Sequence, residues 1–308
     1  MTVCGINIWR IIEMNDLLYC CRIKDESQEP DLLPELLGAY DYEMSSWTDR
    51  QEKVSYHILY FSEKSKADAA RDFLDNLVDS WRKEFDIRVA EIEVFTMKKE
   101  DWAEVWKKYF NIIHISGRLI IKPSWLEFEP KPGQVIVEID PGMSFGTGQH
   151  ATTSFCLKMI DRLAGTPGMK SFLDAGCGSG ILTIAAAKLG YSPLVAFDID
   201  PDATKVAAEN FEKNRIEPDA VKLLTVGLVE FCKNAGSYDF VAANILGSVL
   251  IANRQLIAGL VRAGGCLSLA GILNEEFDNL KNVFCETGFA MEYRFSEKEW
   301  TSGLFRKS

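Results

Sequence analysis

Residues 171–180 read Ser-Phe-Leu-Asp-Ala-Gly-Cys-Gly-Ser-Gly, and a helix-forming stretch from Ile181 to Leu189 follows at once. An apolar run, the alternating Gly176, Gly178 and Gly180, then a helix: that order is strand, tight turn, helix. Glycine turns without steric cost and lets a ligand approach the backbone, and a helix start offers unpaired N–H groups. The stretch therefore reads as the nucleotide-binding turn of an α/β domain. Asp198 ends the next apolar run, at about the 20-residue distance where a carboxylate accepts hydrogen bonds from ribose hydroxyls. Asn244 ends a later apolar run. The glycine spacing is G-x-G-x-G, with Asp174 two residues ahead of it. A dinucleotide fingerprint is G-x-G-x-x-G, whose middle glycine admits a pyrophosphate. A cationic methionyl group has no phosphate and favours a nearby carboxylate, which Asp174 supplies directly or through water. The spacing points to S-adenosyl-L-methionine rather than a nicotinamide dinucleotide.

These residues need a scaffold, and the order of elements supplies one. Leu194–Ile199, Val221–Val226, Phe240–Ala243 and Gly265–Ala270 are expected strands, and 202–214, 250–260 and 275–287 expected helices. Alternation of this kind predicts a doubly wound parallel sheet, with ligands outside the carboxyl ends of the strands at the switch point. Asp174, Gly176, Asp198 and Asn244 all fall at such ends. Ahead of them, Val135–Ile139 is an expected strand, and 140–150 is a glycine-rich polar segment suited to shape around a ligand. Thr152 and Thr153 can cap the next helix, 154–163, or face the ligand.

The first 95 residues form a separate pattern. Leu18–Ile23, 42–48, Val54–Phe61 and 86–95 are expected strands, and 31–40 and 65–81 helices, with Phe73, Leu74, Leu77, Val78 and Trp81 on one side of the second. The order βαββαβ matches a ferredoxin-like α+β unit. Residues 96–125 hold a dense aromatic set, with Trp102 and Trp106 sharing a face of an expected short helix over 101–110. The predicted organisation is an N-terminal domain over 1–95, for recognition or as a structural or dimerising unit, a linker over 96–125 and a cofactor domain over 126–308.

The chain has 308 residues and a net charge of −11. Its acidity makes it a poor general binder of nucleic-acid backbones and suits a basic protein partner. No apolar run reaches the roughly 20 residues of a membrane span, and the start has no export-signal pattern. Eight cysteines without disulfide spacing indicate a reduced, cytoplasmic chain. His57, His114 and His150 are far apart and form no metal-ligand motif, so no metal is expected.

The stretch from Asp174 to Gly180 resembles motif I of class I methyltransferases. Asp140-Pro-Gly-Met-Ser-Phe-Gly-Thr-Gly-Gln-His-Ala-Thr-Thr153, Asp198-Ile-Asp-Pro201, Asn244-Ile-Leu246, Asp101-Trp102, Trp106, Gly117-Arg118 and Pro123-Ser-Trp125 together resemble the bacterial methyltransferases of ribosomal protein L-eleven (L11). The likeness runs over about 96–308; before that only the element order agrees. It implies a Rossmann-like class I methyltransferase sheet behind a domain that recognises L11. It also implies methylation of lysine side chains and the α-amino group, and no nucleic-acid substrate. Carried over by motif, Thr153, Asp174, Gly176, Gly178, Asp198 and Asn244 would contact the cofactor, and Phe145 and Asn244 would shape the approach of the amine. Ala151 stands where the family usually has proline. The rival readings are methylation of another protein amine or of a nucleic acid, and a non-catalytic ribosome-binding factor that keeps a cofactor pocket. Asn-Ile-Leu lacks the proline pair and aromatic of nucleobase amino-methyltransferases.

Overall fold

The computed structural model describes residues 2–4, 17–27, 32–38, 40, 42, 44–49, 54–85, 87–98, 111–140 and 150–308. It divides into two compact units, Met1–Phe110 and Asn111–Ser308.

The first unit contains β1 (Thr2–Cys4), β2 (Leu17–Asp25), α1 (Leu32–Gly38), β3 (Met44–Asp49), β4 (Val54–Phe61), α2 (Lys64–Phe85) and β5 (Val89–Lys98). Its sheet order is β1-β3-β4-β2-β5, antiparallel throughout. β2 to β5 with the two helices follow the expected βαββαβ order. β1 adds a short edge strand, too brief to leave an alternation pattern. The slip in the alternation of β5 is a register shift opposite Lys24 and Asp25. Leu74, Val78 and Trp81 repeat at helical spacing on α2 and close a core with Cys21, Ile23 and Leu59. Phe73, expected on that same side, is instead exposed and meets Tyr40 edge-on. The expected helix over 101–110, with Trp102 and Trp106, lies outside the described residues.

The second unit opens with a small sheet of β6 (Ile113–His114), β7 (Leu119–Lys122) and β8 (Val135–Glu138). There follow α3 (Ala151–Leu163), β9 (Phe172–Ala175), α4 (Ile181–Lys188), β10 (Leu194–Asp198), α5 (Pro201–Lys213), β11 (Val221–Thr225) and α6 (Leu228–Cys232). The unit ends with β12 (Tyr238–Asn244), α7 (Gly247–Ala252), α8 (Arg254–Leu260), β13 (Val261–Leu273), α9 (Asn274–Glu286), β14 (Phe289–Glu297) and β15 (Trp300–Lys307). The sheet order is β11-β10-β9-β12-β13-β15-β14. The first five are parallel, as expected. β15 slots between β13 and β14 antiparallel to both, so the sheet is not parallel to its far edge.

The local chemistry explains these elements. β9 is buried at every residue, as a central parallel strand covered on both faces must be. α4 is apolar nearly all round and buried from Ile181 to Ala186. α5 starts where Asp200 accepts from the Asp202 N–H at 2.9 Å with Pro201 behind it. The single helix expected over 250–260 is broken in two at Asn253, whose side chain donates back to the Val249 carbonyl at 2.9 Å. That local bond competes with the helical backbone.

Candidate active site

Strands of a parallel sheet present their carboxyl ends on one side, so Asp174 on β9, Asp198 on β10 and Asn244 on β12 reach the same edge. The register makes this concrete: Asp174 lies opposite Ala196 and Ala242 on the flanking strands, and Asn244 opposite Ala270 of β13. β9 and β12 are the strands where the order reverses, the switch point at which ligands bind in such sheets.

The glycine turn has a division of labour. The N–H of Gly176 donates to the Phe197 carbonyl at 2.9 Å, so it serves the sheet. A Cβ on Gly176 would lie 2.4 Å from Ile245 Cγ2, and its φ is +79°. Gly178 donates its N–H to Asp198 Oδ2 at 2.9 Å, binding the turn to the next strand. Gly180, also left-handed, lets α4 approach α5, since a Cβ there would meet Phe211 at 2.7 Å. Asp198 Oδ1 also accepts from the Asp200 N–H at 3.0 Å. A carboxylate has about four acceptor sites, so both oxygens keep capacity for further donors.

Asp174 is fully buried. Its Oδ2 accepts from the Thr183 hydroxyl at 2.7 Å and the Thr183 N–H at 3.2 Å, while Oδ1 is buried without a hydrogen-bond partner. Burial pushes its pKa up to about 7; Thr183 opposes the rise and the charge of Asp198 adds to it. On the other side of the switch point, Asn244 donates from Nδ2 to Thr153 Oγ1 at 3.4 Å, and its Oδ1 is likewise buried and unpartnered. Gly271 leaves room there; a Cβ on it would sit 3.2 Å from that oxygen.

The predicted residues thus form one band, from Thr153 to Asn244, through Ile245 to the Gly176 turn, and across Gly178 to Asp198. Phe145 lies outside the described residues. The threonine pair does not cap α3; both threonines are buried in its first turn, and His150 is the cap, with Nδ1 receiving the Thr152 N–H at 3.4 Å. The same nitrogen is 2.7 Å from the Thr152 hydroxyl. Asp140, first residue of the glycine-rich segment, is structural: it accepts from the N–H and hydroxyl of Ser124 and from Lys213 Nζ. Sequence reasoning missed Thr183, which carries no motif signal, and Ile199, a 76% exposed apolar side chain directly after Asp198.

The family model described as Ribosomal protein L11 methyltransferase (PrmA) matches residues 30–308. The chain belongs to this family. Curated relatives agree: a Ribosomal protein L11 methyltransferase of Desulforapulum autotrophicum is 42% identical over 66% of each chain. One from Syntrophomonas wolfei is 35% identical over 83% of this chain and 80% of its own. A solved ribosomal protein L11 methylase from Lactobacillus delbrueckii superposes with a TM-score of 0.58 at 28% identity, covering 65% of this chain and all of its own. The chain is therefore a methyltransferase of the class I, Rossmann-like type, and its cofactor is S-adenosyl-L-methionine. The site fits that cationic molecule. Two buried oxygens lack donors, at Asp174 and Asn244, and a buried acceptor without a partner costs about 1–3 kcal/mol. A ligand bearing N–H groups and positive charge removes that cost. Among the described residues no helix is long and apolar enough to cross a membrane.

Proposed function

We propose that the chain methylates lysine side chains and the α-amino group of ribosomal protein L11 in the cytoplasm, with the second unit doing the chemistry and the first recognising the substrate. The observation that carries the transfer step is the unpartnered Asn244 Oδ1 at the end of β12, the strand next to that of Asp174, with the side chain tethered to Thr153. Asp198 takes the ribose hydroxyls, Ile199 offers an apolar face for the base, and Asp174 takes the methionyl ammonium. Gly176 and Gly178 keep the turn low enough to admit the molecule, and Thr153 contacts it while holding Asn244. When bound, S-adenosylmethionine supplies a methyl on a positively charged sulfonium, which a neutral amine takes up as the C–S bond breaks.

Asn244 Oδ1 accepts one N–H of the amine and so aims the nitrogen lone pair. A free lysine has a pKa of about 10.4. Entry into a site beside a cation lowers it, because a neighbouring like charge disfavours the charged form. The proton then leaves to water, and no side chain is assigned as its base. Positioning is the main contribution of the protein, as expected where two reactants are held in line. Phe145 would cover the cofactor and narrow the amine's path.

Incubation of the enzyme with radiolabelled S-adenosylmethionine and whole ribosomes, followed by mass spectrometry, tests the substrate. Label on amines of L11 is expected. Label on RNA with none on protein would overturn the assignment, as would binding of the cofactor with no transfer to any ribosomal protein.

A further inference from the structure

We propose that His150 and Trp300 are positioning residues for methyl transfer: their edge-to-face pair locks the first turn of α3 against the β14–β15 turn, and so sets the Thr153 hydroxyl that holds the Asn244 amide. The inference rests on the reading of Asn244 given above. The rings meet with centroids 5.3 Å apart at 68°. Trp300 stands at the start of β15, opposite Leu273, three positions beyond the residue that pairs with Asn244. The β14–β15 turn therefore rises past the sheet edge on the Asn244 side of the site. It is firmly held: the Asn274 N–H donates to the Glu299 carbonyl at 2.9 Å, and Asn274 Nδ2 to the Lys298 carbonyl at 2.6 Å. The Thr301 hydroxyl donates to Asn274 Oδ1 at 2.6 Å. Trp300 Nε1 donates to Glu299 Oε1 at 2.9 Å, which fixes the indole.

The other half of the link is the cap. Nδ1 of His150 receives the Thr152 N–H, and an accepting Nδ1 requires the neutral ring with its proton on Nε2. Thr153, one residue further along the same turn, is buried and within 3.4 Å of Asn244 Nδ2. A fixed turn and an anchored histidine thus run without a break to the amide that faces the acceptor amine. Among the described residues, the groups facing His150 include Thr152 of α3 and Glu297, Lys298, Glu299 and Trp300 of the β14–β15 turn. Burial holds the ring below the usual histidine range; Glu299 and Glu297 oppose that and Lys298 reinforces it. Protonation removes the acceptor and with it the cap. Loss of a cap loosens the first helical turn.

The test uses the full chain, S-adenosylmethionine and purified L11. His150→Ala and Trp300→Leu are expected to lower kcat by roughly tenfold or more through misplacement of Asn244, with a smaller rise in KM for the cofactor, which Thr153 also contacts. His150→Asn keeps a cap that does not titrate, and Trp300→Phe keeps a ring, so both are expected to recover most of the rate. The ratio of wild-type to His150→Asn rates cancels the titration of the substrate amine, and it is expected to fall as pH drops through the ring's depressed pKa, below the ordinary histidine value. In the unliganded chain the NMR titration of His150, assigned by its loss in His150→Asn, is expected below the ordinary histidine value and to move up in Trp300→Leu. A ratio that stays flat with pH, full kcat in His150→Ala, or a ring titration unmoved by Trp300→Leu would overturn the inference. An inactive Asn244→Ala beside a fully active His150→Ala rejects this link alone. An active Asn244→Ala rejects the reading of Asn244 and the link together.

Discussion

The Asp174 carboxyl group sits between β10 and β12 with one oxygen bonded to Thr183 and the other unpartnered. Its pKa of about 7 is raised by burial, so folding without ligand favours the protonated acid. The sign follows: the folded state binds more protons than the unfolded chain between about pH 4 and 7, so the group's ionisation weakens the unliganded fold as pH rises through that window. A cationic ligand stabilises the carboxylate instead. Binding of S-adenosylmethionine near neutrality should release a proton, and affinity should rise with pH up to about 7. Calorimetry in buffers of different ionisation enthalpy reads that proton directly. Asp174→Asn should melt at a higher temperature than wild type above about pH 8 when unliganded, yet bind cofactor more weakly; this is the trade between stability and function expected at such sites. A lower melting temperature with unchanged affinity would show that Asp174 is structural only.

At the scale of elements, the site depends on how closely α4 comes to α5 and β9 to β12. Gly180 has φ +77°, and a Cβ would meet Phe211 Cε1 at 2.7 Å and Ala207 Cβ at 3.1 Å. Gly180→Ala should cost about 1–3 kcal/mol from the strained backbone, with overpacking added, seen as a lower urea midpoint. Asp200→Ala, which removes the cap of α5, should cost about 1 kcal/mol. The parallel strands were legible because each is a short apolar run, with Asp174, Asp198 and Asn244 at or near the polar ends of theirs. β15 was not legible: Thr301, Ser302 and Gly303 are polar or small, yet all are buried, Gly303 because Phe305 and Phe277 fill the space beside it. The cap of α3 was misread for a related reason. Threonine is the commoner cap, but here a histidine held by Trp300 takes that place, and Trp300 is 150 residues away in the chain. The unpartnered oxygens are also invisible in sequence, since a missing partner is a property of packing.

At the scale of the molecule, the two units carry different kinds of information. The second holds the motifs by which the family is recognisable; the family match begins at residue 30, so it also takes in most of the first. In that first unit Asp25 and His57 are both buried, with Oδ2 and Nε2 3.5 Å apart. Ser46 stands 2.8 Å from His57 Nδ1. Burial opposes ionisation of Asp25, but His57 and Ser27 together hold its carboxyl below the usual carboxylate range. Its contribution to stability is therefore present above the ordinary carboxylate pKa and lost as pH falls through the depressed value. Asp25→Ala should destabilise the first unit by about 1–3 kcal/mol, the scale for leaving buried polar partners unsatisfied. Hydrogen exchange should show the loss in β2 to β4 while β9, β10 and β12 keep their protection and the chain still binds S-adenosylmethionine. Methylation of L11 should fall with it, since the first unit is assigned to recognition.

The central claim is that Asn244 orients a protein amine for methyl transfer, and single-turnover kinetics on Asn244→Ala tests it most directly. The rate of transfer to purified L11 is measured with enzyme in excess and S-adenosylmethionine saturating for wild type and variant alike. The account predicts a loss of roughly a hundredfold or more in that rate, the scale for a misplaced reactant, with methyl groups found by mass spectrometry on L11 amines in the wild-type reaction. A variant that transfers at the wild-type rate, or a wild type that leaves L11 unmodified, would contradict it.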